Sequence, residues 1–155
     1  MDEKKTLKVQ KIKNGIVIDH IPCGRALKVL KILNIEGDIG SSVSIAMHVR
    51  SRYGWKDIVK IEDRYLEEKE LDKIALVAPT ATVNIIKNYE VVKKHKVQVP
   101  DKIVGIVRCT NPRCITNQNE PLTPEFYVIS KEPLIIKCKY CERDMESEEI
   151  IENII

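Results

Sequence analysis

No stretch of this 155-residue chain approaches the roughly eighteen apolar residues that mark a membrane-spanning helix. Residues 1–5 open with charges and lack the apolar core of a secretory signal, so the expectation is a cytoplasmic protein with no membrane partner. Aromatic residues make up only 5% of the chain, with one Trp and one Phe, which leaves few rings for stacking nucleic-acid bases. Neither a P-loop nor a dinucleotide fingerprint is present, and there is no internal repeat or low-complexity segment. The histidines His20, His48 and His95 lack a Ser or Cys nucleophile pattern around them, and no carboxylate pair is marked by its spacing. No catalytic residue is therefore assigned, and an enzyme is not expected.

What is present suffices for a folded protein. Apolar residues reach 43% and charged residues 32%, and the length fits one medium domain or two small ones. The net charge of +3 is unevenly spread. Residues 1–100 hold 19 Lys+Arg against 13 Asp+Glu, a balance of +6, whereas residues 101–155 hold 7 against 10, a balance of −3. Six acids between Glu142 and Glu152 stand where a duplex-binding module would carry lysines.

Periodicity outlines the first part of the chain. Leu7 and Val9 alternate with polar residues before Asn14-Gly15, which predicts a hairpin turn into the run Ile16-Val17-Ile18. Ala26, Val29, Leu30 and Leu33 recur at helical spacing over 24–33, with Asn34 as terminator. Val43, Ile45, Met47 and Val49 alternate as a strand with one buried face. A second strand is expected over 58–61, a helix over 67–78 stopped by Pro79, and strands over 82–86 and 89–92. The order strand, helix, strand, strand, helix, strand predicts an α+β fold, a ferredoxin-like antiparallel sheet with both helices on one face. Four lysines and a proline with little periodicity put a linker at about 93–102, dividing the chain into units 1–98 and 103–155.

The second unit is too short to bury an adequate core unaided, and its cysteines supply a remedy. Cys109-Thr-Asn-Pro-Arg-Cys114 and Cys138-Lys-Tyr-Cys141 leave four, twenty-three and two residues between successive thiols, close to a paired-knuckle pattern. A small antiparallel β domain with strands over 126–129 and 134–137 would hold one structural Zn2+ through four thiolates. That closed shell leaves no position for water and no metal chemistry. Buried thiols, disulfides or an iron centre are the alternatives. Cys23 lies apart at a helix start and reads as a free buried thiol.

Taken singly, the polar residues of the first unit have ordinary structural readings. Asp19-His20 would be a satisfied pair, and Lys56, Lys60 and Lys93-Lys94 would be solvated lysines. Together with Asn84 in an apolar strand and the ring of Tyr89, they suit a phosphorylated small molecule, which needs ammoniums for its phosphates and fixed polar groups for base and ribose.

Five segments carry a further inference: Gly15-Ile-Val-Ile-Asp-His-Ile-Pro22, Lys56-Asp-Ile-Val-Lys-Ile-Glu62, Ala75-Leu-Val-Ala-Pro-Thr-Ala-Thr-Val-Asn84, Asn88-Tyr-Glu-Val-Val92 and Lys137-Cys-Lys-Tyr-Cys141. In them the chain resembles the regulatory chain of aspartate carbamoyltransferase over essentially its whole length. The resemblance implies a non-catalytic subunit of pyrimidine biosynthesis, with an N-terminal domain binding CTP or ATP as allosteric effectors. It also implies a C-terminal zinc domain docking on the catalytic chain, and a homodimer of regulatory chains that joins catalytic trimers in a larger hetero-oligomer.

By matching position, the resemblance assigns Lys94 to the triphosphate, Asp19 and Lys60 to the ribose region, and Ile12, Ile86, Tyr89 and Val91 to the base. Val9, His20, Lys56 and Asn84 would complete the pocket, and Cys109, Cys114, Cys138 and Cys141 would hold the zinc. Gln10-Lys11 stands where bacterial members carry an acidic residue followed by a small one. The competing reading is a zinc-ribbon nucleic-acid-binding protein, and a nucleotide-converting enzyme comes third. No nucleic-acid partner is expected.

Overall fold

The structure is a computed structural model that describes residues 11–35, 40–52, 54–119 and 122–155. The strand expected at Leu7–Val9 and the candidate residue Val9 lie outside these residues. The first part runs β1 (Gly15–Pro22), α1 (Ala26–Ile32), β2 (Val43–Ser51), β3 (Gly54–Glu62), α2 (Glu68–Val77), β4 (Thr82–Lys87) and β5 (Glu90–Lys96). Their sheet has the order β2-β3-β1-β4-β5 with every pairing antiparallel. This is the ferredoxin-like order, extended at one edge by β5.

Helix α2 shows why its limits are written locally. Glu67 precedes it and forms a reciprocal capping box with Glu70, which satisfies two amides that the first turn leaves open. A further acid, Glu68, joins Glu70 at the positive end of the helix, and Pro79 follows its C-cap Ala78. Its buried face of Ile74, Ala75, Leu76 and Val77 joins Ala26, Val29 and Leu33 over Ile16, Ile18, Val59, Ile61 and Val83 of the sheet. Arg25 Nη1 donates to the Val77 carbonyl at 2.6 Å and ties the two helices together.

Gly15 is required by close approach. A Cβ there would lie 2.1 Å from the Ile61 carbonyl oxygen, and the residue has φ +143°. Asn14-Gly15 joins the sheet by a route other than a simple hairpin turn. The Asn14 carbonyl accepts from the Asp63 amide, the Lys13 carbonyl accepts from the Tyr89 amide, and Asn14 Oδ1 accepts from the Asn88 amide at 3.3 Å.

Three expectations need correction. β2 lacks a fully buried face: Ile45 is 39% and Met47 43% exposed, because β2 is an edge strand that the helices leave partly uncovered. A bulge between Ala46 and Val49, with His48 at φ +59°, also breaks its alternation. The strand expected over 89–92 continues into the supposed linker as far as Lys96, pairing Asn84 with Lys94 and Thr82 with Lys96. Every residue of β5 is exposed, so no apolar period marks it in the sequence. Cys23 is exposed rather than buried, because it occupies the turn between β1 and α1, ahead of Ala26, the first buried residue of α1. Its Sγ lies 3.2 Å from His48 Nδ1, a contact that a separation of 25 residues conceals.

The second part contains β6 (Lys102–Val104), β7 (Glu125–Lys131), β8 (Leu134–Cys138), β9 (Asp144–Glu146) and α3 (Ser147–Glu152). Its four strands form an antiparallel sheet in the order β6-β7-β8-β9. Phe126, Ile136, Met145 and Ile150 are fully buried, and their core runs on into that of the first part through Val97, Val99, Ile103 and Ile106. Among the described residues no helix is long and apolar enough to cross a membrane.

Candidate functional site

The helices cover one face of the five-stranded sheet and leave the other open. Across that open face the register aligns Lys60 with Val17, Val17 with Asn84, and Asn84 with Lys94, so residues far apart in sequence fall in one row. Asp19 lies two residues beyond Val17 on β1 and shares the same face. A hollow of about 360 Å³ opens here. Ile12, Asp19, Lys60, Asn84, Ile86, Tyr89 and Val91 line it, joined by Lys11, Val17 and Ile58.

The remaining candidates surround it. Lys56 Nζ contacts Asp19 Oδ1 at 2.9 Å, and the His20 amide donates to the same oxygen at 2.7 Å. His20 adopts φ +58°, and its carbonyl accepts from the Thr80 hydroxyl at 2.8 Å. Tyr89 is held at φ +68° in the two-residue turn between β4 and β5, with the Lys13 carbonyl bracing its amide, and the residue is 60% exposed.

The electrostatics of the hollow follow from these contacts. Burial raises the Asp19 carboxyl, but the Lys56 ammonium and the His20 amide outweigh it and leave the group below its ordinary 3.8. Burial and then the charge of Lys11 hold the Lys60 amine below its ordinary value, against the pull of Asp19. Since the folded carboxyl of Asp19 is more acidic than the unfolded one, its contribution to stability is present above pH 3.8 and is lost as pH falls through the lowered value. A Lys56→Met variant should therefore lose less stability than wild type between about pH 5 and about pH 2 in urea unfolding. Equal losses in the two proteins would remove the ion pair as the cause.

Asp57 was not singled out by its sequence, although it supports this region. It is 0% exposed: Oδ2 accepts from the amides of Gly24 at 2.8 Å and Ala26 at 3.1 Å, and Oδ1 from that of His48 at 2.9 Å. One carboxylate thus joins β3, the start of α1 and the β2 bulge. Its signal was parity, since Asp57 shares the buried face of β3 with Val59 and Ile61. A strand begun at Ile58 leaves it out.

In the second part, Cys109, Cys114, Cys138 and Cys141 bring their sulfurs within 4.8 Å of one another. Cys109 lies 3.6 Å from Cys141 and Cys114 lies 3.7 Å from Cys138, well beyond the about 2.05 Å of a disulfide. A tetrahedron of sulfurs about 2.3 Å from zinc has edges of roughly 3.8 Å, so this set fits the ion. Asn117 Nδ2 donates to the carbonyls of Cys109 and Asn111, each at 2.8 Å, which closes the first knuckle. In the second knuckle the Glu142 amide bonds the Cys138 carbonyl, with Glu142 at φ +63°.

Burial raises the thiols of Cys109 and Cys138. Burial also opposes ionisation of Cys141, but the Arg143 amide and its neighbours bring that thiol down to about 7. Four thiols so crowded need a cation to become four thiolates, and a divalent ion supplies the charge.

The two halves match known families separately. Residues 7–98 match the aspartate carbamoyltransferase regulatory chain, allosteric domain, and residues 101–151 its metal binding domain. Relatives named aspartate carbamoyltransferase regulatory chain include that of Pyrococcus abyssi, 60% identical over 96% of this chain and 98% of the relative. The one from Thermoplasma volcanium is 52% identical over 97% of this chain and 99% of its own length. The one from Methanothrix thermoacetophila is 52% identical over 98% and 99%. With both domains matched and relatives aligned over nearly their full length, the chain belongs to the aspartate carbamoyltransferase regulatory chains, built from an allosteric and a metal-binding domain and without catalysis of its own.

Proposed function

We propose that residues 1–98 bind CTP or ATP on the open face of the five-stranded sheet, and that residues 103–155, folded around one zinc ion, dock on the catalytic chain of pyrimidine synthesis. The observation that carries this reading is the hollow that gathers Ile12, Asp19, Lys60, Asn84, Ile86, Tyr89 and Val91. Apolar side chains and the Tyr89 ring there suit a base, Asp19 and Lys60 a ribose, and Lys94 beside Asn84 the phosphates. Lys56 and His20 fix the Asp19 carboxylate at the rim.

In the second half, Val104, Ile115, Tyr127, Ile129 and Tyr140 expose apolar surface that suits a docking face. The zinc does no chemistry in this scheme and holds the knuckles that present that face. The nucleotide acts by binding one state of the assembly more tightly than the other.

Support for a homodimer comes from the outer edge of β2, which no other described strand covers, with Ile45, Met47 and Trp55 exposed on β2 and its partner β3. In the zinc half, acids cap and lead α3, with Glu146 and Glu149 forming its capping box. That distribution disfavours a nucleic-acid surface, and a cytoplasmic address accords with a metabolic role.

Calorimetry of the purified chain with CTP and ATP tests the reading. Lys94→Ala should weaken triphosphate binding about 10- to 100-fold, the scale of a charge-assisted hydrogen bond. If neither nucleotide binds wild type at millimolar concentration, the sensor role fails.

A further inference from the structure

We propose that Thr116 is a positioning residue of the four-sulfur centre: its hydroxyl donates to the Cys114 sulfur, and this bond helps set how firmly the ion is held. The inference rests on the metal reading above and adds to it a residue outside the cysteines. Cys114 is 1% exposed, and Thr116 Oγ1 lies 3.2 Å from its Sγ. A sulfur that has lost its proton to bind a metal can only accept, so the hydroxyl is the donor.

Four thiolates outweigh one divalent ion, so the centre stays negative in a place from which burial has removed water. Hydrogen bonds from surrounding residues spread that charge, and such partners govern metal affinity much as the ligands themselves do. Three of the sulfurs draw on the backbone: the Asn111 amide serves Cys109, the Cys141 and Tyr140 amides serve Cys138, and the Arg143 amide serves Cys141. A backbone amide stays in place whatever side chain it carries. Cys114 faces a hydroxyl, which one substitution removes.

The neighbours of Thr116 fix its place. It lies in the short 3₁₀ turn Ile115–Asn117, where the Asn117 amide closes on the Cys114 carbonyl at 2.9 Å. Asn117 Nδ2 reaches the carbonyls of Cys109 and Asn111, and Gln118 Nε2 donates to that of Pro112 at 3.1 Å. Three consecutive side chains thus turn back onto the first knuckle. Those of Asn117 and Gln118 shape its loop, whereas that of Thr116 acts on the charge of a ligand atom, so its loss is read at the metal.

The test measures zinc transfer from the purified full chain to a chromophoric chelator for wild type, Thr116→Val and Thr116→Ser, together with the sulfur-to-metal charge-transfer band of the cobalt(II)-loaded proteins. Thr116→Val, which exchanges the hydroxyl for a methyl of similar size, should lower zinc affinity about tenfold. It should also move the band to lower energy, because a thiolate without its donor yields its electrons more easily. Thr116→Ser keeps the hydroxyl and should stay within about threefold of wild type, with the band unmoved. Unchanged affinity and band in Thr116→Val would overturn the proposal. Equal losses in both variants, or a loss with the band unmoved, would make Thr116 a packing residue of the loop and overturn it as well. In these cases a wild-type chain that holds zinc keeps the metal reading intact, whereas a wild type that holds none removes that reading and the proposal together.

Discussion

Removing the metal with a chelator, or changing Cys138 to serine, will unfold the C-terminal sheet and abolish association with the catalytic chain, while nucleotide binding to the N-terminal sheet persists. The reason lies in how that half is built. Its strands are short, with β6 and β9 spanning three residues each, and apart from the cysteines its buried apolar side chains among the described residues are few: Ile103, Ile106, Val107, Phe126, Leu134, Ile136, Met145 and Ile150. A core of that size rarely supplies more than about 3–5 kcal/mol, whereas a structural zinc contributes on the order of 10 kcal/mol. Losing one thiolate also opens the closed four-sulfur shell that holds the ion.

The readouts separate the two halves. Trp55, the only tryptophan, stacks on His48 with ring centroids 4.1 Å apart and reports on the N-terminal sheet alone. Its emission should survive chelation, while partner binding is lost and the far-UV circular dichroism drops only by the share of the C-terminal strands and α3. Because the two cores meet through Val97, Val99, Ile103 and Ile106, some loss of stability in the first half is expected too. Collapse of nucleotide binding on chelation would tell against the division of labour.

The second large effect concerns Asp57. Asp57→Ala would strip the partner from three amides, the buried one of Ala26 and the part-buried ones of Gly24 and His48, that the fully buried Asp57 carboxylate now serves. Leaving buried donors unpaired costs about 1–3 kcal/mol each, and partial relaxation of the loop leaves a net loss of about 3–5 kcal/mol. Urea unfolding followed through Trp55 measures it. Asp57→Asn keeps one oxygen acceptor and should recover part of the loss. A change under about 1 kcal/mol in the alanine variant would show that water replaces the carboxylate at those amides.

Much of this architecture was readable before any coordinates because its determinants are local. Helix α2 is delimited by Glu67, Glu70 and Pro79, and the helix expected over 67–78 is found as Glu68–Val77 between caps Glu67 and Ala78. The cysteine quartet declares itself by spacing, because each knuckle closes within one turn. β5 was cut short for the opposite reason. An edge strand exposed on both faces carries Lys93, Lys94 and Lys96 with no apolar period, and only pairing with β4 defines it.

The open-face pocket stands between these cases. Lys60, Asn84 and Lys94 come together with Val17 through strand register, which no local pattern encodes, so the residue types alone suggest a phosphorylated ligand and only the family resemblance gives Lys60 and Lys94 their separate parts. Neither route gave Asp57 a role, because it is a single acid on the buried parity of an apolar strand. The contact of Cys23 with His48 is likewise a product of the β2 bulge and the β1–α1 turn.

The central claim is that a nucleotide on the N-terminal sheet changes catalysis by a partner docked on the zinc half. Aspartate saturation of the complex reassembled with its catalytic chain, measured with and without saturating CTP or ATP, tests this most directly. The account predicts that at least one nucleotide displaces the half-saturation point and that Lys94→Ala suppresses the displacement. Unchanged curves in a complex shown to have bound nucleotide would contradict it.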